Sequence, residues 1–241
     1  MSLWCLLAAL LPWVDPCAAI AHSAPHPVPV VVEAPTPPPT PEPAARAAPP
    51  PNPDPGFIVP AGASRHKRTI IGEWRFYFGL DSDVSVPFAQ VMQESRFRAD
   101  AVSYAGATGL AQFMPATAAG YQRSTRLQEL CAQAGGCPLS PAWAIRAMAM
   151  YDADEYADAG YAATEDERLA FMLTSYNGGR GWVRKERTAA HDRGLDDRRW
   201  FGAVERVCLR AAWACEESRG YAPAILYKWR PGFQLWLGGG R

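Results

Sequence analysis

Apolar residues recur every three or four positions in four stretches of the chain: "PFAQVMQESRF" (87–97), "SPAWAIRAMAMYDADEYADAG" (140–160), "EDERLAFMLTSYN" (165–177) and "WFGAVERVCLRAAWACEES" (200–218). That spacing places them on one face of a helix, so each stretch predicts a helix with a buried stripe. Start signals agree. Ser140-Pro141 reads as a cap followed by a first-turn proline, and Thr164 precedes Glu165 and Glu167. β-branched runs are scarce apart from "FIVP" and "TIIG". The fold class expected is all-α, with Gly- and Ala-rich loops between helices.

The periodic region does not begin at residue 1. Leu3 to Val14 is apolar but short for a membrane span, and small residues follow it. Residues 1–24 are read as an export signal cleaved near Ala21 or Ala24, although a basic n-region is missing. A retained weak membrane anchor is the alternative. A buried amphipathic helix is disfavoured by Pro12, Asp15 and Pro16. Cys17 makes no lipoprotein signal, because "VDPC" lacks the small residues that should precede a lipidated cysteine. Between Pro25 and Pro60 lie 15 of the 23 prolines, which favours an extended polyproline tether over helix or sheet. Residues 25–64 are therefore assigned to a linker and 65–241 to the folded domain, opening with "RHKR".

Charge changes this picture little. The formal net charge is zero, and residues 65–241 carry 23 basic against 20 acidic residues. Nothing global suggests nucleic acid, since "DERL" and "DDRR" mix the signs. The slight excess suits a polyanionic partner such as a cell wall. With the signal removed, Cys131, Cys137, Cys208 and Cys215 remain, an even number that favours disulfides in an exported chain. The Gly-Gly of "CAQAGGC" can bring Cys131 to Cys137. Cys208 and Cys215 lie about 10 Å apart on an unbroken helix, too far to bond. Either that helix breaks or the pairing crosses over; two local bridges are favoured. No C-x-x-C occurs, and His22 and His26 lie upstream of the domain, so no metal site is expected.

One residue stands out chemically. Glu94 sits in "VPFAQVMQESRF", with Val91 a turn before it and Phe97 a turn after, and its other neighbour a turn back, Gln90, is uncharged. Apolar flanks make a carboxylate costly to ionise, so the pKa of Glu94 should rise and keep the acid protonated near neutral pH. No second carboxylate takes a convincing place: Asp100 falls off its helical face, and Asp81 and Asp83 precede the helix. After Glu94 come Gly106 and Gly109, which permit tight turns or close approach to a ligand. "GLAQFMPATA" (109–118) then turns into a helix with Pro115 near its start, and "SYNGG" (175–179) stops a later one.

In this order, "ES" at 94–95, "GLAQFMPATA", "SYNGG" and the late "ESRGYAPAIL" with Glu217 and Tyr221 resemble the soluble lytic transglycosylase (SLT) family, goose-lysozyme-like and of glycoside hydrolase family 23 type. The resemblance covers roughly residues 84–230. It departs where "GLMQ" becomes "GLAQ", so Ala111 cannot supply a methionine's packing against the sugar, and where "AYNGG" becomes "SYNGG". The stretch 180–201 and the C-terminus look most like versions from bacteriophage lysis proteins (endolysin-type).

The resemblance implies a peptidoglycan-cleaving enzyme of lysozyme-like fold, acting on glycan strands and needing no metal or organic cofactor. Glu94 would donate a proton to the leaving oxygen and then take one from the C6 hydroxyl, leaving a 1,6-anhydromuramoyl end. Ser95 and Gln112 would hydrogen-bond the sugar or its peptide stem. Tyr176 and Asn177 would line the groove near the reacting N-acetyl group, and Tyr221 would orient Glu94. Two alternatives stand beside it: a hydrolysing lysozyme whose base folds in from Asp152, Asp154 or Glu155, and a non-catalytic wall-binding protein, favoured by Ala111. A monomer in the periplasm or cell envelope is expected, with the N-terminus as its contact with the membrane.

Overall fold

In a computed structural model, residues 56–131 and 137–238 are described. The export signal, most of the proline-rich segment and the Gly-Gly turn expected between Cys131 and Cys137 lie outside these described residues.

Nine α-helices carry the described residues: α1 (Ala61–Phe78), α2 (Ser85–Ser95), α3 (Pro115–Gln122), α4 (Thr125–Cys131), α5 (Pro141–Asp158), α6 (Glu165–Gly178), α7 (Arg180–Asp192), α8 (Ala212–Pro223) and α9 (Arg230–Trp236). Among them there is no strand, only isolated bridges from Thr108 to Val102 and to Phe113. The all-α expectation holds. No described helix is long and apolar enough to cross a membrane.

Two helices form the centre. Along α6, every residue from Leu169 to Ser175 is buried, and along α2 so is every residue from Ser85 to Val91. A helix buried on all sides needs partners on all sides. Accordingly α6 packs against α5, α7 and α8, while α5 packs against α1 and α2 lies against the C-terminal segment. The caps match the sequence signals: Ser140 Oγ accepts from Trp143 N at 3.4 Å, and Thr164 Oγ1 accepts from Glu167 N at 3.3 Å. Glu165, Asp166 and Glu167 place negative charge in the first turn of α6, where the helix dipole favours it.

Two boundaries differ from expectation. Helix α1 begins at Ala61, so the domain edge placed at residue 65 falls inside a helix. The "TIIG" run belongs to that helix, where Ile70 is buried with Trp74. The helix expected over 200–218 begins only at Ala212. Before it, Glu167 accepts from Trp200 N at 2.6 Å and Phe201 N at 3.1 Å, Gly202 turns at φ +73°, and Arg210 pairs with the buried Glu186 at 3.1 Å. These anchors hold 200–211 as a loop, which lets Cys208 reach Cys215 in the first turns of α8. Both local disulfides, Cys131–Cys137 and Cys208–Cys215, are present.

From α8 the chain continues through a π-helical stretch, Ala224–Trp229, directly into α9. Pro223 and Pro231 flank it, and each removes a backbone donor, so the hydrogen-bond register slips between them.

Candidate active site

The last turn of α2 faces a cleft of about 560 Å³, walled by the 103–114 loop, the end of α6 and one side of α8. The end of α2 explains why Glu94 meets this cleft. Arg96 (φ +52°) and Phe97 (φ +62°) both take the left-handed conformation, which is unfavourable for a residue with a side chain. The chain therefore breaks sharply at Ser95. Phe97, expected a helical turn beyond Glu94, swings into the core instead, its ring 6.2 Å from Phe88 and 5.9 Å from Phe233. The break also needs Gly62, since a side chain there would collide with Phe97.

Glu94 is half-buried, and Tyr221 Oη donates a hydrogen bond to its Oε1. Burial raises the Glu94 pKa to about 8, the Tyr221 bond opposes that rise, and the neighbouring Glu217 charge adds to it. The acid is thus protonated at neutral pH, as its sequence context suggested, although the wall around it is tyrosine more than the expected Phe97. Tyr221 is itself buried, and burial together with the Glu94 charge raises its pKa, so its hydroxyl keeps its proton.

Gln112, Tyr176 and Asn177 line the same cleft. Gln112 adopts φ +48°, and its Nε2 donates to the carbonyls of Ala101 (3.1 Å) and Gly109 (2.9 Å). Its Oε1 accepts no bond among the described residues and is available to a ligand. Tyr176 Oη donates to the Ala111 carbonyl at 2.6 Å, tying α6 to the loop. Asn177 Nδ2 donates to Glu217 Oε1 at 3.3 Å. Ala111 is fully buried, and Met114, three residues on, lines the cleft at 44% exposure. A methionine is therefore present at the cleft from a different position. Gly109 makes a close approach, but to the Pro138 carbonyl rather than to a ligand.

Ser95 is a correction. It is 2% exposed, and its Oγ donates to the Val91 carbonyl at 3.4 Å, back onto its own helix. It does not line the cleft. Ser103 does, held by its Oγ accepting from Ala107 N at 2.9 Å. Periodicity says nothing about loop side chains, and only its place between Glu94 and "GLAQ" could have singled it out.

A second correction concerns carboxylates. Glu216 and Glu217 on α8 line the cleft, Glu217 one turn before Tyr221. The residues considered earlier as distant bases do not reach it. Asp154 accepts from Tyr121 Oη at 3.2 Å, Glu155 pairs with Arg180 at 2.8 Å, and Asp152 is buried against Gln90. Asp83 is paired with Arg230 at 2.7 Å. Among the described residues no group of three His, Cys, Asp or Glu side chains could hold a metal.

The all-α domain thus presents one half-buried acid in a groove lined by amides and tyrosines. Residues 81–198 match the model of the Transglycosylase SLT domain, which supports assigning that segment to the family. The match stops short of Glu217 and Tyr221. No curated protein matches the chain. Among solved structures it is similar to the 70 kDa soluble lytic transglycosylase SLT70 of Escherichia coli, at 22% identity and a TM-score of 0.45. That similarity covers 69% of this chain and 24% of SLT70, so the chain spans about a quarter of the enzyme's length.

Proposed function

We propose that the protein is a peptidoglycan lytic transglycosylase in which Glu94 is the sole acid and base. The observation that carries this is the Glu94–Tyr221 pair: a carboxyl kept protonated to about pH 8, aimed into an open cleft and held by a tyrosine hydroxyl. A group that must first give a proton and then recover one works best with its pKa near the operating pH.

In the first half, Glu94 donates its proton to the glycosidic oxygen between MurNAc and GlcNAc. The C1–O bond breaks, and the substrate's own N-acetyl oxygen supports the positive charge at C1. In the second half, the Glu94 carboxylate takes the proton of the C6 hydroxyl as that oxygen bonds to C1. The ring closes as a 1,6-anhydromuramoyl end, Glu94 is protonated again and no water is consumed. Tyr221 donates to the carboxylate between the halves, which favours the ionised state. Gln112 Oε1, Tyr176 and Asn177 are assigned to holding the N-acetyl sugar, and Ser103 takes the place first given to Ser95.

The family acts on peptidoglycan, and the N-terminal segment and proline-rich tether are read as export and reach to the cell envelope. Sequence likeness over 180–201 favours a phage lysis role. A second enzymatic reading has a specific observation behind it: Glu217, on the cleft wall, could serve as base for a water molecule. Digestion of purified walls in heavy-oxygen water separates the two. Anhydro ends without label are expected. Reducing muramic ends carrying the heavy oxygen would establish hydrolysis, and undigested wall with protein bound would establish a non-catalytic role.

A further inference from the structure

Behind Glu94, helices α2 and α5 bury a carboxyl group that the proposed reaction does not use. Gln90 lies one turn before Glu94 on α2, Asp152 lies on α5, and both are 0% exposed. Gln90 Nε2 donates to Asp152 Oδ1 at 3.1 Å. The two remaining polar atoms of the pair, Gln90 Oε1 and Asp152 Oδ2, are buried and have no hydrogen-bond partner. Leaving two acceptors dry and unsatisfied is among the costlier arrangements in a protein interior.

An ionised Asp152 cannot resolve this, because a carboxylate only accepts. Nor does a cation answer it. Arg180, which reaches α5 from α7, gives both of its bonds to Glu155, at 2.9 and 2.8 Å. The titratable groups whose charges act on Asp152 or feel its charge are all acids: Glu94 on α2, Tyr151 and Glu155 on α5, Tyr176 on α6 and Tyr221 on α8. Glu94 and Glu155 oppose a negative charge there, none of the tyrosines favours one, and burial opposes it most. One proton satisfies both orphans at once. A protonated Oδ2 donates to Gln90 Oε1 while Gln90 Nε2 donates to Oδ1, closing a ring of two hydrogen bonds. The terminal torsions of Asp and Gln are broad, so closing the ring needs no backbone movement.

We propose that Asp152 is held as the neutral acid in a closed hydrogen-bonded pair with Gln90, and that this pair is a positioning device for Glu94. It clamps α2 to α5 one turn before the catalytic carboxyl. It also keeps a second charge from forming behind Glu94, where it would oppose the ionisation of Glu94 needed in the second half of the reaction. Asp152 is then no base for a hydrolase. The clamp itself goes beyond the proposed function and stands without it; only its service to catalysis rests on that reading.

Asp152→Asn supplies the test, because an amide at 152 can form the same ring without a proton. In the unfolded chain Asp152 ionises near pH 3.9, while the folded protein keeps its proton. The folded-state pKa is raised, so wild-type stability falls as pH rises above 3.9, and the variant lacks this loss. Urea unfolding of both proteins from pH 4 to 7 should show the folding constant of Asp152→Asn gaining about tenfold per pH unit over wild type. Glu94 titrates in both and cancels. A ratio independent of pH would overturn the proposal. If Asp152→Asn fails to fold, wild type labelled with ¹³C at the aspartate carboxyls should keep one protonated carboxyl above pH 6; finding all of them ionised would overturn it equally. These readouts need no glycan cleavage, so they separate the pair's failure from that of the enzymatic reading.

For the positioning role, Gln90→Leu opens the ring and should lower kcat with little change in KM. An unchanged kcat would overturn that half. The falling alkaline limb of activity should stay near pH 8 in Asp152→Asn, and a limb displaced downward by a pH unit would show that Asp152 had been charged.

Discussion

Replacing Glu94 by Gln should abolish wall cleavage and stabilise the protein at the same time, and the second effect can be worked from its surroundings. Gln keeps the shape and can still accept from Tyr221, but it has no proton to give and no charge to bury. In the unfolded chain Glu94 ionises near 4.5, whereas in the fold burial holds it to about 8. Below about pH 4.5 both states carry the proton and the substitution is nearly neutral. Between 4.5 and 8 the unfolded state ionises and the native state does not, so the wild type loses stability as pH rises. Each pH unit corresponds to about 1.4 kcal/mol, which over the whole interval gives an upper bound of about 5 kcal/mol.

The cleft is open to water, and screening there reduces the effect to roughly 2 kcal/mol at pH 8. For a domain of this size that is about 4–8 °C in Tm. Thermal unfolding of both proteins at pH 4.5, 6 and 8 measures it, and clearing of purified walls measures the loss of activity, expected to be several orders of magnitude. A Tm difference that does not grow with pH would refute the burial argument. Near-normal clearing by folded Glu94→Gln would refute the assignment of Glu94 altogether.

Other predictions follow from the same contacts. Tyr221→Phe removes a bond that favours the ionised Glu94; kcat should fall about tenfold or more and the alkaline limb of the pH–rate profile should move above 8, where wild-type activity declines. Ser95→Ala should leave KM unchanged and lower stability by about 1 kcal/mol, whereas Ser103→Ala should raise KM in wall-binding and turnover assays. Cys208→Ser with Cys215→Ser frees a loop closed at a separation of seven residues, and should lower stability by about 2–3 kcal/mol in urea unfolding.

Much of the scaffold was legible because its helices carry their own signals. Helices α5 and α6 announce themselves through Ser140-Pro141, Thr164 and an apolar spacing that needs no distant partner. The loop at 200–211 did not, because what stops it from being a helix lies elsewhere: Glu167 on α6 and Glu186 on α7 take up its backbone and Arg210. The same holds for the site. Glu94 was legible as an acid out of place, but Phe97 was misjudged because two left-handed residues in a row leave no trace in periodicity. The cleft-facing serine was misassigned for a related reason. Ser95 follows Glu94 in sequence, yet a step of one along a helix turns the side chain by about 100°, here into the core.

That geometry bears on how many carboxylates the chemistry employs. The fold disposes of most of the acids near Glu94: Glu155 is spent on Arg180, Asp154 accepts from Tyr121, Asp83 holds Arg230, and Asp152 is sealed against Gln90. Glu216 and Glu217 remain in the cleft, and Glu217 is the one whose charge reaches Glu94. Its effect is to raise the Glu94 pKa, which suits an acid partner. Yet Glu217 also accepts from Asn177, a residue assigned to the N-acetyl sugar. A carboxylate that fixes the amide which in turn holds the substrate has a part to play without ever touching water. On that account Glu217→Gln should raise KM and lower the Glu94 pKa while anhydro ends persist. If it instead abolishes turnover with KM unchanged, Glu217 is the base and the enzyme hydrolyses.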